Sequence, residues 1–112
     1  MLTDKSNNNL VHWVIYDVPA TATGLPANVP KAYAPTNVAG AHQTASYQTT
    51  TTGYLGPCPP VNGGAHSYEF AVYGVDVTTL PGTSMTTSRA AAVTLITEHM
   101  TAKATLTGMY MR

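Results

Sequence analysis

Gly53-Tyr54-Leu55-Gly56-Pro57-Cys58-Pro59-Pro60, followed after a Gly-rich link by His66-Ser67-Tyr68, is the stretch on which the reading of this chain turns. Pro57, Pro59 and Pro60 each lock their own backbone angle and remove an N–H donor. Gly53 and Gly56 let the chain bend sharply around that stiff insert. An ordinary turn needs one Pro or one Gly, so a rigid loop that ends on a His and a Tyr reads as one wall of a binding pocket.

Working outward, 112 residues make one domain, residues 1–112, with a modest core. A hydrophobic fraction of 44% is globular, and no apolar run is long enough to cross a bilayer. Met1-Leu2-Thr3-Asp4-Lys5 lacks the apolar stretch of a signal peptide, so the start of the chain favours a cytoplasmic location. The five basic residues are scattered and balanced by five acidic ones, which argues against nucleic acid as a partner. Cys58 is the single cysteine and has no partner for an internal disulfide.

Leu10 to Val18, rich in Val, Ile, Trp and Tyr, reads as one strand ended by Pro19. Residues 19–52 form a long irregular connection of the kind that small domains keep for function or mobility. Ser67 to Val77 alternates as a second strand, with His66, Tyr68, Phe70 and Val72 on one face. Thr83, Ser84 or Thr86 is expected to cap a helix running to about His99, and Ala102 to Met111 to close the fold as a strand. The pattern is mostly β with one C-terminal helix.

The residues with chemistry are His12, within an apolar strand, His66 at a strand entry, Asp4 and Tyr68. Two imidazoles with backbone N–H groups from Gly56 and Cys58 suit an anionic oxygen without any arginine. Asp4 and the face of Tyr68 suit a cation such as an ammonium group. The combination fits a small zwitterion with phosphate at one end and amine at the other. His42 reads as a solvated loop residue, and His99 as a helix C-terminal residue favoured by the dipole.

Gly56-Pro57-Cys58-Pro59-Pro60, His66-Ser67-Tyr68, Val11-His12-Trp13-Val14 and the C-terminal His99–Arg112 block, in that arrangement, resemble the phosphatidylethanolamine-binding protein (PEBP) family, in particular its bacterial and archaeal Raf-kinase-inhibitor-like branch. The resemblance implies a PEBP-like antiparallel β-sheet fold with a small anion pocket at one end. His12 and His66 would be the pocket histidines, Tyr68 would line the pocket and Pro59 would shape its rim. The family's Asp-Pro-Asp-x-Pro segment is replaced by Leu2-Thr3-Asp4-Lys5-Ser6-Asn7-Asn8-Asn9, where Asp4 matches either family carboxylate. Family members also carry strands before this Asp, so the resemblance implies an N-terminally shortened fold, completed by a second chain or by a homo-oligomer.

The functional expectation is therefore a binding protein, not an enzyme, for a small phosphorylated ligand or phospholipid head group, through Asp4, His12, Gly56, Pro59, His66 and Tyr68. Members of the family also regulate kinases or inhibit proteases through surface loops. No cofactor or metal is expected. The alternatives are a metal- or His-dependent hydrolase built on His12, His66 and Asp4, or a folded remnant without an intact pocket. The Pro-rich loop is also a place for a cis bond before Pro57, Pro59 or Pro60.

Overall fold

A computed structural model describes residues 1–112. In chain order the elements are β1 (Leu2–Asp4), β2 (Leu10–Trp13), β3 (Ile15–Tyr16), β4 (His42–Gln43), β5 (His66–Val75), α1 (Arg89–Glu98) and β6 (Met100–Tyr110). Four strands form an antiparallel sheet in the order β2-β1-β5-β6, and β3 pairs with β4 in a second, two-stranded sheet. The mostly-β expectation with one C-terminal helix holds. No helix is long and apolar enough to cross a membrane.

Leu2–Asp4, read in the sequence only as the approach to a carboxylate, is a central strand. It sets Leu2 opposite Phe70 and Asp4 opposite Tyr68 on one side, and Asp4 opposite Leu10 on the other. Asn7, Asn8 and Asn9 make the return to β2. Asn8 and Asn9 both adopt left-handed backbone angles (φ 48° and 56°), which asparagine tolerates better than most residues.

The expected single strand from Leu10 to Val18 divides instead. Trp13 ends β2 in the large sheet, Val14 is fully buried, and Ile15–Tyr16 turn away to pair with Gln43 and His42. The break is held by Gln43. Its side-chain oxygen accepts from Trp13 Nε1 at 2.8 Å, while its Nε2 donates to the carbonyls of Pro30 and Ala32 at 2.8 and 2.9 Å. A buried amide with both ends satisfied ties the irregular 19–52 segment to the strand end.

The helix begins later than the sequence suggests. Ser88 is its N-cap and accepts from the Ala91 N–H. Ser84, Thr86 and Thr87 are spent on a turn of their own, with Thr87 N donating to Ser84 O at 3.0 Å and Ser84 N to Thr87 Oγ1 at 2.8 Å. Such local side-chain bonds compete with helix, which is why the Thr/Ser run stays outside it. The buried residues of α1, Ala92 and Ile96, pack with Val14, Tyr16 and Leu80 in one core. A smaller core of Leu2, Trp13 and Tyr68 lies beneath the candidate site.

β6 pairs with β5 along its whole length, from Met100 opposite Val75 to Tyr110 opposite His66, and forms the sheet edge. Every residue of β6 is exposed, and Val72 and Leu106 are 74% and 72% exposed on the same face. All peptide bonds are trans, so the Pro57–Pro60 loop owes its shape to trans prolines and not to a cis bond.

Candidate functional site

The site lies where β2, β1 and β5 run side by side. The register between β1 and β2 shifts at Leu2/Thr3: Leu2 faces Trp13 and Thr3 faces Val11, leaving His12 as the extra residue. A bulge of this kind turns two consecutive side chains toward one face. Trp13 accordingly joins the core with Leu2 and Tyr68, and His12 sits edge-on to Tyr68 with ring centroids 5.6 Å apart. The strand pairing places Asp4 directly beside Tyr68, and His66 lies two residues before Tyr68 on the same face.

Asp4 is almost fully buried, and both of its oxygens are engaged. Oδ1 accepts from the Ser6 N–H at 3.0 Å and Oδ2 from His66 Nδ1 at 2.7 Å. Burial alone would raise the carboxyl, but the bonds from His66 and Ser6 outweigh it and hold Asp4 below the ordinary carboxylate value. Each Asp4 oxygen thus accepts one protein hydrogen bond, and through Oδ2 Asp4 orients His66.

His12 is also buried, and its Nδ1 lies 3.2 Å from the Gly56 carbonyl. A carbonyl oxygen only accepts, so Nδ1 carries the proton in this arrangement. The contact joins the strand histidine to the proline loop. Gly56 thus acts through its carbonyl, and a side chain added there would meet the Tyr54 ring, 3.1 Å from its hydroxyl. Pro59 is fully buried and anchors the loop from below, while Cys58 is exposed and receives Arg112 Nη1 at 3.1 Å.

Tyr68 Oη is sealed from solvent without a hydrogen bond of good geometry, although Asp4 and the Cys58 N–H lie beside it. Its phenol is pushed up to about 12, first by burial and then by the Asp4 charge. His12 and His66 flank this ring, the latter roughly parallel to it with centroids 6.3 Å apart. Neither histidine's Nε2 has a partner, and neither is sealed off as Tyr68 Oη is. Both imidazoles are thus held at Nδ1 and open at Nε2. No three or more His, Cys, Asp or Glu side chains converge as a metal-ligand set.

Tyr47 escaped the sequence reading. Its ring lies over His12 with centroids 4.2 Å apart and planes at 34°. It sits in a Thr-rich stretch with no periodicity to mark it. His42 is not a solvated loop residue: it lies in β4, 3.1 Å from Asp17 Oδ2 and stacked on Tyr33. His99 does stand at the helix C-cap, but its ring is bound to Asp76 at 2.7 Å.

A groove of about 260 Å³ runs from Pro57 and Tyr68 over Phe70 and Leu106 and is lined by neither histidine. A larger, apolar cavity of about 370 Å³ lies elsewhere, between Met1, Trp13, Val75 and Ile96, and contains none of the polar site residues.

Comparison with known proteins agrees with this geometry. A sequence profile of the phosphatidylethanolamine-binding protein family matches residues 2–111. The chain is 35% identical over 113 residues to a UPF0098 protein of Methanothermobacter thermautotrophicus, covering 97% of this chain and 68% of that protein. It is 32% identical over 109 residues to a UPF0098 protein of Aquifex aeolicus, covering 97% of this chain and 61% of that one. Among solved structures, E. coli YbcL, described as a new member of the mammalian PEBP family, superposes with a TM-score of 0.84 at 25% identity, over 99% of this chain and 68% of YbcL. The chain belongs to the phosphatidylethanolamine-binding protein family, and membership supports a ligand-binding role in the general sense.

Proposed function

We propose that this chain is a non-catalytic binding protein for a small anion, with a phosphorylated head group such as phosphoethanolamine as the ligand class. The observation that carries this reading is the pair of histidines on either side of Tyr68, each fixed through Nδ1 and open at Nε2. An imidazole whose Nδ1–H is already used offers an anion its Nε2–H only when it is protonated. Asp4 fixes the His66 ring through Nδ1, and the Tyr68 and Tyr47 rings enclose His12. Ligand phosphate would then bridge the two Nε2–H groups, with the Tyr68 ring between the histidines.

A proton–nitrogen NMR titration with phosphoethanolamine tests the reading. Joint shifts of His12, His66 and the Gly56–Val61 amides in a dispersed spectrum are expected. A dispersed spectrum that ignores the ligand overturns it.

A further inference from the structure

Tyr47 reaches His12 from a turn that is itself held in place from a distance. Ser46 N donates to Thr51 O at 2.7 Å, Thr49 N to Ser46 O at 2.9 Å and Gly53 N to Thr44 O at 3.0 Å, so residues 44–53 close into a compact flap. Ser46 and Thr51 also bond through their hydroxyls at 3.0 Å. The two carbonyls immediately before Tyr47, those of Ala45 and Ser46, both accept from Nη1 of Arg89, at 3.1 Å for Ala45. Arg89 is the first residue of α1 and is half-buried. It makes no salt bridge with a carboxylate. A desolvated guanidinium spent on two main-chain carbonyls is costly unless it fixes something.

We propose that Arg89 is a positioning residue for the histidine site: by gripping the Ala45 and Ser46 carbonyls it sets the Tyr47 ring against His12 and thereby aims the open His12 Nε2. The consequence for ligand affinity rests on the anion-binding reading above, whereas the Arg89–Tyr47–His12 linkage stands on geometry alone. Partial burial lowers the Arg89 guanidinium from its ordinary value. Lysine has the charge but lacks the planar fork, so it holds the flap only partly.

Ring-proton NMR of His12 in the full chain, alone and with phosphoethanolamine, tests the proposal. Withdrawal of an aromatic face moves the His12 ring signals downfield. In Arg89→Met that shift is expected while the His66 ring signals stay in place, with Arg89→Lys intermediate. Affinity for phosphoethanolamine is expected to fall about tenfold, the scale of one hydrogen bond to a charged group. Tyr47→Leu is expected to reproduce both effects, and Arg89→Met added to Tyr47→Leu to cause no further loss.

Unmoved His12 signals in a folded Arg89→Met chain, or strictly additive losses in the double variant, overturn the proposal. Should Arg89→Met fail to fold, Arg89→Lys decides the matter by whether its His12 signals move. If the parent ignores phosphoethanolamine but the His12 signals still move in Arg89→Met, the anion reading fails and the positioning role stands.

Discussion

His66 Nδ1 lies 2.7 Å from Asp4 Oδ2, although the two residues are 62 positions apart. The contact exists because β1 and β5 are neighbours in the sheet, with Asp4 directly opposite Tyr68. It is a charge-assisted bond in a buried place, where such bonds are short and strong.

Asp4→Asn is expected to cost about 2 kcal/mol at neutral pH, through loss of the charged acceptor for His66 and Ser6. The folded carboxyl titrates below its unfolded value, which is about 3.9. Its stabilisation is therefore complete above that value and is lost as pH falls through the folded one. Urea unfolding of parent and variant should differ at pH 7 and converge toward pH 3.

Anion binding is expected to need both histidines, because each is fixed through Nδ1 and presents Nε2 beside Tyr68. Calorimetric titration with phosphoethanolamine should give saturable binding. His66→Ala should abolish binding while unfolding remains cooperative. Undiminished affinity in a folded His66→Ala chain would contradict the bridging geometry.

Tyr68→Phe removes a buried hydroxyl that has no partner, so neutral-pH stability is expected to stay within about 1 kcal/mol of the parent. The phenol's folded value, pushed up to about 12, lies above the unfolded one. Its contribution is present below the unfolded value of about 10 and is lost as pH rises toward 12. Alkaline unfolding followed by circular dichroism should move to higher pH in the variant.

Gly53→Ala is expected to destabilise by more than about 1 kcal/mol. Gly53 has φ +92°, and an added Cβ would stand 3.0 Å from the Gln43 side chain. Gln43 cannot withdraw without releasing Trp13, Pro30 and Ala32. Thermal unfolding provides the comparison, with Gly64→Ala, also left-handed but in open space, separating backbone strain from the clash.

The β5–β6 face predicts self-association of the chain, since Phe70, Val72 and Leu106 lie exposed beside an unpaired edge strand. Val72→Lys with Leu106→Lys should reduce concentration-dependent association in sedimentation velocity. Unfolding free energy should change little, as is usual at exposed positions.

The ends of this story were legible in the sequence and the middle was not. The alternation of His66 to Val75 and the stiffness of Pro57–Pro60 are local properties, and both appear in the fold as read. His12, His66 and Tyr68 do stand near one another. Period-two alternation carried on from Leu10 to Val18 gave no warning of the break at Val14, because the cause is Gln43, thirty residues beyond Trp13. Thr83, Ser84 and Thr86 read as helix caps because nothing local marks that Ser84 and Thr86 bond to one another and Thr83 to the Leu80 carbonyl. Leu2–Asp4 is too short to show a period at all, yet it is the strand that joins His12 to His66.

By itself, then, the sequence determined the strand-forming residues of β5 and β6, the rigid proline loop and the chemical kinds of group available for a site. Backbone restriction and side-chain periodicity act over a few residues, and they leave a direct mark on composition. Only the tertiary structure decided that Asp4 spends its charge on His66, that a bulge turns His12 toward Tyr68, and that Arg89 reaches the flap carrying Tyr47. Those relationships depend on register and packing between segments far apart in the chain, where no single stretch of residues carries the information.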